Sequence, residues 1–205
     1  MRDVVFTIGH STQSAEHFMA LLRQHGITAV ADVRSRPYSR MNPQFNREEL
    51  RETLRESGVA YVFLGMELGA RSEDRTCYHE GKVQYGRLAQ TEMFRRGLDR
   101  VQEGARTLRI VLMCAEKEPL ECHRTILVAR HLETLGLEVL HIHGDGRLES
   151  HTDAMNRLVR QLHLPESHLF SSHDEVVAEA YRLQEERVAY TVTEPAGNTV
   201  RSAAG

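Results

Sequence analysis

The chain predicts an α/β fold, with a mostly parallel sheet of about five strands and helices on both faces. Its layout is Rossmann-like, without a GxGxxG loop. Three observations predict it. Short apolar runs alternate with stretches of helical period along most of the 205 residues. The apolar runs are nearly continuous, as strands buried on both faces read. Such regular alternation is the pattern of parallel strands joined by crossover helices.

Each element follows from its residues. Residues 4–8 are apolar and β-branched and read as the first strand, broken by Gly9-His10-Ser11-Thr12. Ala15, Phe18, Leu21 and Leu22 repeat at helical spacing up to Gly26. Residues 28–33 read as the second strand. Past Pro37 and Pro43, Asn46 and Glu49 have the form of a capping box for a helix carrying Leu50 and Leu54. Residues 59–64 read as the third strand. Residues 65–87 show little periodicity, and a stretch that long reads as a lid or a disordered loop. Phe94, Leu98 and Val101 mark a helix, and residues 108–114 a fourth strand. Ile126, Ala129 and Leu132 mark a helix that starts near Cys122. Residues 137–142 read as the fifth strand, and Thr152 as the cap of a helix through Met155 and Leu158. Pro165 separates an α/β domain, 1–164, from a C-terminal helix and flexible tail, 165–205. In that appendage Ser172 and Glu175 form a capping box, the charged helix runs to about Arg187, and residues from Tyr190 read as disordered.

Bulk properties narrow the function. Hydrophobic residues make 40% and charged residues 27%, and the net charge of −3 argues against a broad nucleic-acid-binding face. No apolar stretch reaches the roughly 20 residues of a membrane span, and no secretory signal opens the chain. Three cysteines make no disulfide framework, so a cytoplasmic, reducing setting is expected. Of 26 basic residues only Lys82 and Lys117 are lysines. Composition bias explains this; arginine also suits planar anion recognition.

Right-handed crossovers bring all parallel strand C-termini to one edge, where open α/β sheets bind ligands. His10 and Ser11, Asp32 and Arg34, Cys114 and Glu116, and His141 and His143 are expected there. The densest chemistry lies in the turn Cys114-Ala-Glu116-Lys117-Glu-Pro-Leu-Glu-Cys122-His123-Arg124. Three readings of it stay open. Cys114, Cys122 and His123 are soft metal ligands, but their spacing is not CxxC and adjacent Cys-His seldom both reach one ion, so no metal ligand is assigned. Cys122 at a helix start beside His123 and Arg124 has the setting of a nucleophile. Alternatively Arg124 and helix N–H groups bind an anion while Glu116 does acid–base work, or the two thiols are purely structural. The loop around Asp32 and Arg34 has the arginines and aromatics to grip a phosphate. It reads equally as a salt-bridged surface loop.

These pieces together resemble the Domain of Unknown Function 488 family. The resemblance rests on Thr7-Ile-Gly-His-Ser11, Asp32-Val-Arg34 with Pro37, Tyr61-Val-Phe-Leu-Gly65, Leu112-Met-Cys-Ala-Glu116 through Cys122-His-Arg124, and His141-Ile142, over about residues 4–162. It implies a compact bacterial or archaeal α/β protein and no particular reaction. Where the family often has Gly-Gly-Arg, this chain has Met66-Glu67-Leu68-Gly69, with Arg71 close behind.

The expected function is a small cytoplasmic hydrolase or group transferase acting on a phosphate-bearing nucleotide or nucleic-acid component. Glu116, Cys122, His123 and His10 are the catalytic candidates. Ser11, Asp32, Arg34, Cys114, Lys117, Arg124 and His141 are the substrate- or anion-binding candidates. No cofactor is specified. The alternatives are a non-catalytic nucleotide- or nucleic-acid-binding module and a thiol or metal sensor.

Overall fold

A computed structural model describes residues 3–165 and 172–192. In chain order the elements are β1 (Val4–Gly9), α1 (Ala15–Gln24), β2 (Ala29–Asp32), α2 (Arg47–Glu56), β3 (Ala60–Phe63), α3 (Gly65–Leu68), β4 (Tyr78–His79), β5 (Lys82–Val83), α4 (Tyr85–Leu88), α5 (Glu92–Ala105), β6 (Ile110–Cys114), α6 (Arg130–Thr134), β7 (Glu138–Ile142), β8 (Leu148–Ser150), α7 (His151–Gln161) and α8 (His173–Val188). The main sheet has the order β3-β2-β6-β1-β7-β8. Its first five members pair in parallel, as expected, and β8 pairs antiparallel to β7.

Strand alternation divides the core between two faces. Phe6, Ile8, Val30, Val111 and Met113 meet Phe18 and Leu22 of α1 and Leu50 and Leu54 of α2. Val5, Ala31, Leu112 and Val139 point the other way, toward Phe94, Leu132, Leu158 and Tyr181. Each fully buried aliphatic or phenyl side chain contributes about 1.5–3 kcal/mol relative to exposure.

The strand order positions the site. The chain steps outward from β1 to β2 and β3, then returns to place β6 between β2 and β1, and only then adds β7. The connections leaving β1 and β6 therefore run to opposite faces, opening a crevice at their C-terminal ends. Pairing persists beyond both strands, with His10 N–H donating to Cys114 O and Ser11 N–H to Ala115 O, each at 2.9 Å. An added side chain at Gly9 would collide with the Glu116 carbonyl, so glycine lets the two loops touch.

Local details differ from the sequence reading. The cap of α1, which the helical spacing leaves unassigned, is Ser14, whose Oγ accepts His17 N–H. Asn46 makes no capping box, because its Oδ1 accepts Ser39 N–H instead. Ser150, not Thr152, caps α7. The Ser172–Glu175 capping box is present on α8. β8 is a sixth strand too short to stand out as an apolar run.

Residues 65–87 are ordered. Together with Leu88 they form α3, a 3-10 turn, the β4–β5 hairpin and α4, and this stretch buries Cys77, Val83, Tyr85 and Leu88. Tyr190, Thr191 and Val192, read as tail, are fixed to that hairpin. Val83 N–H donates to Tyr190 O at 2.9 Å and Val192 N–H to Gly81 O at 2.8 Å. The rest of the expected tail, and residues 166–171, lie outside the described residues.

Candidate functional site

The site grows from the end of β6. Cys114 is its last residue and is buried. The chain then makes an exposed loop and a 3-10 turn (Pro119–Glu121), and Cys122 follows in extended conformation. Contrary to expectation, Cys122 thus lies ahead of the helix and not in its first turn. The helix begins at Arg124 and is π-wound through Ala129 before α6 continues it. Short π segments are rare and often accompany functional sites. Arg124 N–H points back at Cys122 Sγ, 3.4 Å away, a cap-like contact that favours negative charge on the sulfur.

Four donor atoms converge here. Nδ1 of His123 lies 3.7 Å from Cys114 Sγ and 3.8 Å from Cys122 Sγ. The Cys122 thiol donates to Glu116 Oε2 at 2.9 Å. The four ligand atoms all fall within 4.8 Å of one another. Cys122 and His123, although adjacent in sequence, therefore face one point. His123 Nε2–H donates to Val33 O at 3.1 Å, which leaves Nδ1 turned to the sulfurs.

Charge within the cluster is uneven. Burial pushes both thiols up, and it prevails at Cys114. At Cys122 the hydrogen bond from Cys114 and the charges of Arg124 and His123 outweigh burial, so this thiol sits well below its ordinary value. Glu116 is raised, first by desolvation and then by the Cys122 charge. The two shifts bring the acidities of the Cys122 thiol and the Glu116 carboxyl closer together across their 2.9 Å hydrogen bond.

A second group sits across the crevice. Arg34 forms a two-point ion pair with Asp32, Nη2 to Oδ2 at 2.6 Å and Nε to Oδ1 at 2.9 Å. It also donates from Nη2 to Phe45 O and from Nη1 to His10 Nε2. Tyr61 OH donates to Asp32 Oδ2 at 2.8 Å. His10 stacks on Phe45 with ring centroids 4.3 Å apart.

The thiol cluster opens into a cleft of about 260 Å³. Arg34, Arg36, Arg71, Tyr85 and Tyr190 line it together with Cys114, Glu116, Cys122 and His123. Arg36 and Arg71 are exposed, and among the described residues neither has a carboxylate partner. Arg71 lies over the Tyr190 ring, 4.4 Å from its centroid. Tyr85 is buried, and its hydroxyl has no hydrogen-bond partner among the described residues. A second opening past Glu116 is lined by His10, Ser11, Thr12, Arg34 and Lys117.

The profile of a family described as a domain of unknown function, DUF488, matches residues 14–131. The chain belongs to the DUF488 family. The match spans more than half of the chain and includes the whole cysteine turn, but stops short of the 4–162 stretch over which the resemblance was read. No curated protein and no solved structure matches.

In this DUF488 protein the edge gathers fewer of the candidate residues than the sequence implied. His10, Ser11, Arg34, Cys114, Glu116, Lys117, Cys122 and His123 all line its openings. Three anion-binding candidates do not. Asp32 is fully buried and spent on Arg34 and Tyr61. Arg124 is also fully buried, and its Nη1 and Nη2 donate to the carbonyls of Glu116 and Lys117, bracing the loop from beneath. His141 points into the core, where Nδ1 bonds Thr7 Oγ1 at 2.7 Å and Nε2 bonds His151 Nδ1 at 3.1 Å. The histidines thus form separate networks rather than one cluster, and His143 pairs with Glu149. Sequence reasoning missed Tyr190, set aside as tail, and gave Tyr85 no role; an aromatic inside an otherwise polar stretch was its only signal.

Proposed function

We propose that this chain is a hydrolase or group transferase acting on an anionic, phosphate-bearing small molecule, of the nucleotide or nucleic-acid-component class. One observation carries this reading: Glu116, the exposed member of the buried thiol cluster, has a raised carboxyl and borders a cleft with Arg36 and Arg71, which have no carboxylate partner among the described residues. A carboxyl raised above its ordinary range suits general acid–base work, and guanidinium groups without a carboxylate partner suit phosphate oxygens.

In the hydrolytic form Glu116 takes a proton from water as the water oxygen bonds to the electrophilic centre. The bond to the leaving group then breaks, and the proton passes to that group. In the transfer form an acceptor hydroxyl replaces water. Arg36 and Arg71 hold the anionic oxygens, and the ordered segment 65–87 walls one side of the cleft through Arg71 and Tyr85. The cytoplasm fits this reading, since free Cys77, Cys114 and Cys122 stay reduced there. Among the described residues no helix is long and apolar enough to cross a membrane.

The test is a panel of phosphate esters and nucleotides offered to the full chain and to Glu116→Gln. Turnover that falls by about 10²–10⁴-fold in the variant supports the assignment. Turnover equal in both removes Glu116 from the chemistry. Saturable binding of a panel member, weakened by Arg71→Ala but never followed by turnover, overturns the enzyme in favour of a binding module.

A further inference from the structure

We propose that Cys114, Cys122 and His123 hold a divalent cation of the zinc class, with Glu116 beside its open fourth position. The donor geometry carries this. Bond lengths of about 2.3 Å to sulfur and about 2.0–2.1 Å to nitrogen, set at tetrahedral angles, separate a sulfur from a nitrogen by about 3.6 Å. The two separations from His123 Nδ1 are 3.7 and 3.8 Å, to Cys114 and Cys122. The donor set of two thiols and an imidazole is the soft, mixed type that selects zinc over magnesium or calcium.

The surroundings fit the same ion. His123 reaches the cluster through Nδ1 while Nε2–H is held by the Val33 carbonyl, the outer bond that ligating histidines usually make. Arg124 N–H donates to Cys122 Sγ, and Arg124 itself lies buried beside the cluster, so negative sulfur is supported from the protein side. Coordination sends each thiol proton to solvent, leaving two thiolates bound to the ion.

Glu116 differs from the other three. Its Oε2 stands 2.9 Å from Cys122 Sγ, a hydrogen-bond distance and shorter than the ligand–ligand edge of a zinc tetrahedron. It is also the exposed member of the four. This geometry makes Glu116 a neighbour of the ion rather than a ligand, with the fourth position facing the cleft and the unpartnered Tyr85 hydroxyl. Three protein ligands and one open position are the arrangement of catalytic rather than structural zinc. The metal site rests on donor geometry alone; only its use in catalysis rests on the proposed function. There the ion would supply a bound water of lowered pKa for Glu116 to deprotonate.

The test uses the full chain, stripped with a chelator and reloaded with zinc or with cobalt(II). We expect a single equivalent of zinc to be retained per chain. Cobalt should give the intense visible bands of a tetrahedral site and a sulfur-to-cobalt charge-transfer band in the near ultraviolet. Cys122→Ser should lower that band and weaken zinc retention by at least about tenfold. Cys77→Ser, altering a buried cysteine outside the cluster, should change neither. If Cys114→Ser or Cys122→Ser fails to fold, the cobalt spectrum of the unsubstituted chain decides alone. Sub-stoichiometric zinc after reloading, or a cobalt spectrum without thiolate bands, overturns the site. Retained metal with no turnover of any substrate leaves the metal site standing and removes the hydrolase instead.

Discussion

Arg34 Nη1 donates to His10 Nε2 at 3.1 Å, and this contact fixes the state of the histidine. A guanidinium has no acceptor, so Nε2 carries the lone pair, and Nδ1–H donates to the Ser11 carbonyl at 2.8 Å. His10 is therefore neutral in the folded chain. Burial foremost, with Arg34 adding to it, lowers its pKa to about 4. Burial also lowers His151 to about 4. Both start from 6.5, so between pH 6.5 and about 4 the unfolded chain binds protons that the folded chain refuses. Stability should fall as pH drops through this window, by up to about 1.4 kcal/mol per pH unit for each histidine. Urea midpoints from pH 7 to 4 measure this, and His10→Gln should show a shallower slope. An identical slope in the variant would falsify the neutral assignment.

Arg124→Ala should cost about 2–4 kcal/mol of stability. The side chain is fully buried, and its loss empties a large volume and unpairs the carbonyls of Glu116 and Lys117 beneath the site loop. Read from sequence alone, Arg124 is an anion-binding candidate at a helix start, and a surface residue in that place would cost under about 1 kcal/mol when removed. Urea denaturation separates the two accounts, and a loss below about 1 kcal/mol would restore the surface reading.

That reversal shows where sequence stops. β1, β2, β6 and β7 were legible because strands buried on both faces leave long apolar runs, and parallel crossovers then fix which ends share an edge. His10, Cys114 and Glu116 follow from that edge. What could not be read is the direction of a side chain beyond its strand. Thr7 and His141 sit opposite each other in the β1–β7 register, and both turn inward to bond one another rather than reaching the crevice. Arg124 looks like any polar residue at a helix start until the Glu116 loop folds over it. The π winding after Cys122 has no sequence period of its own, so the sequence puts Cys122 in the first helical turn rather than just ahead of it.

The buried chain Thr7–His141–His151–Tyr181 joins the sheet to α7 and α8. Tyr181 OH lies 2.6 Å from His151 Nε2 and closes the chain from the α8 side. Tyr181→Phe keeps the ring, and its contact with Arg130, but leaves that nitrogen without its partner. We expect a loss of about 1–3 kcal/mol, with α8 becoming the first segment to exchange its amide hydrogens. Exchange that stays uniform along the chain, with an unchanged midpoint, would show that packing alone docks the helix.

In metal-free protein Cys122 should alkylate faster than Cys114 near neutral pH. Both sulfurs are buried, so access is about equally restricted, and the thiolate fraction decides the order. Cys122 accepts Arg124 N–H and sits beside His123, and these pull it below the ordinary thiol range against the cost of burial. Desolvation holds Cys114 above that range, and the neighbouring Cys122 charge adds to it. Glu116 modulates the contrast, because its carboxylate accepts the Cys122 thiol hydrogen. Glu116→Gln removes that base and its charge, and should leave the preference for Cys122 in place through Arg124 and His123. Mass-spectrometric labelling at several pH values resolves the two sites by peptide. Equal slow labelling of Cys114 and Cys122 at every pH would mean that burial outweighs the local charges, and that neither thiolate is preformed before a ligand arrives.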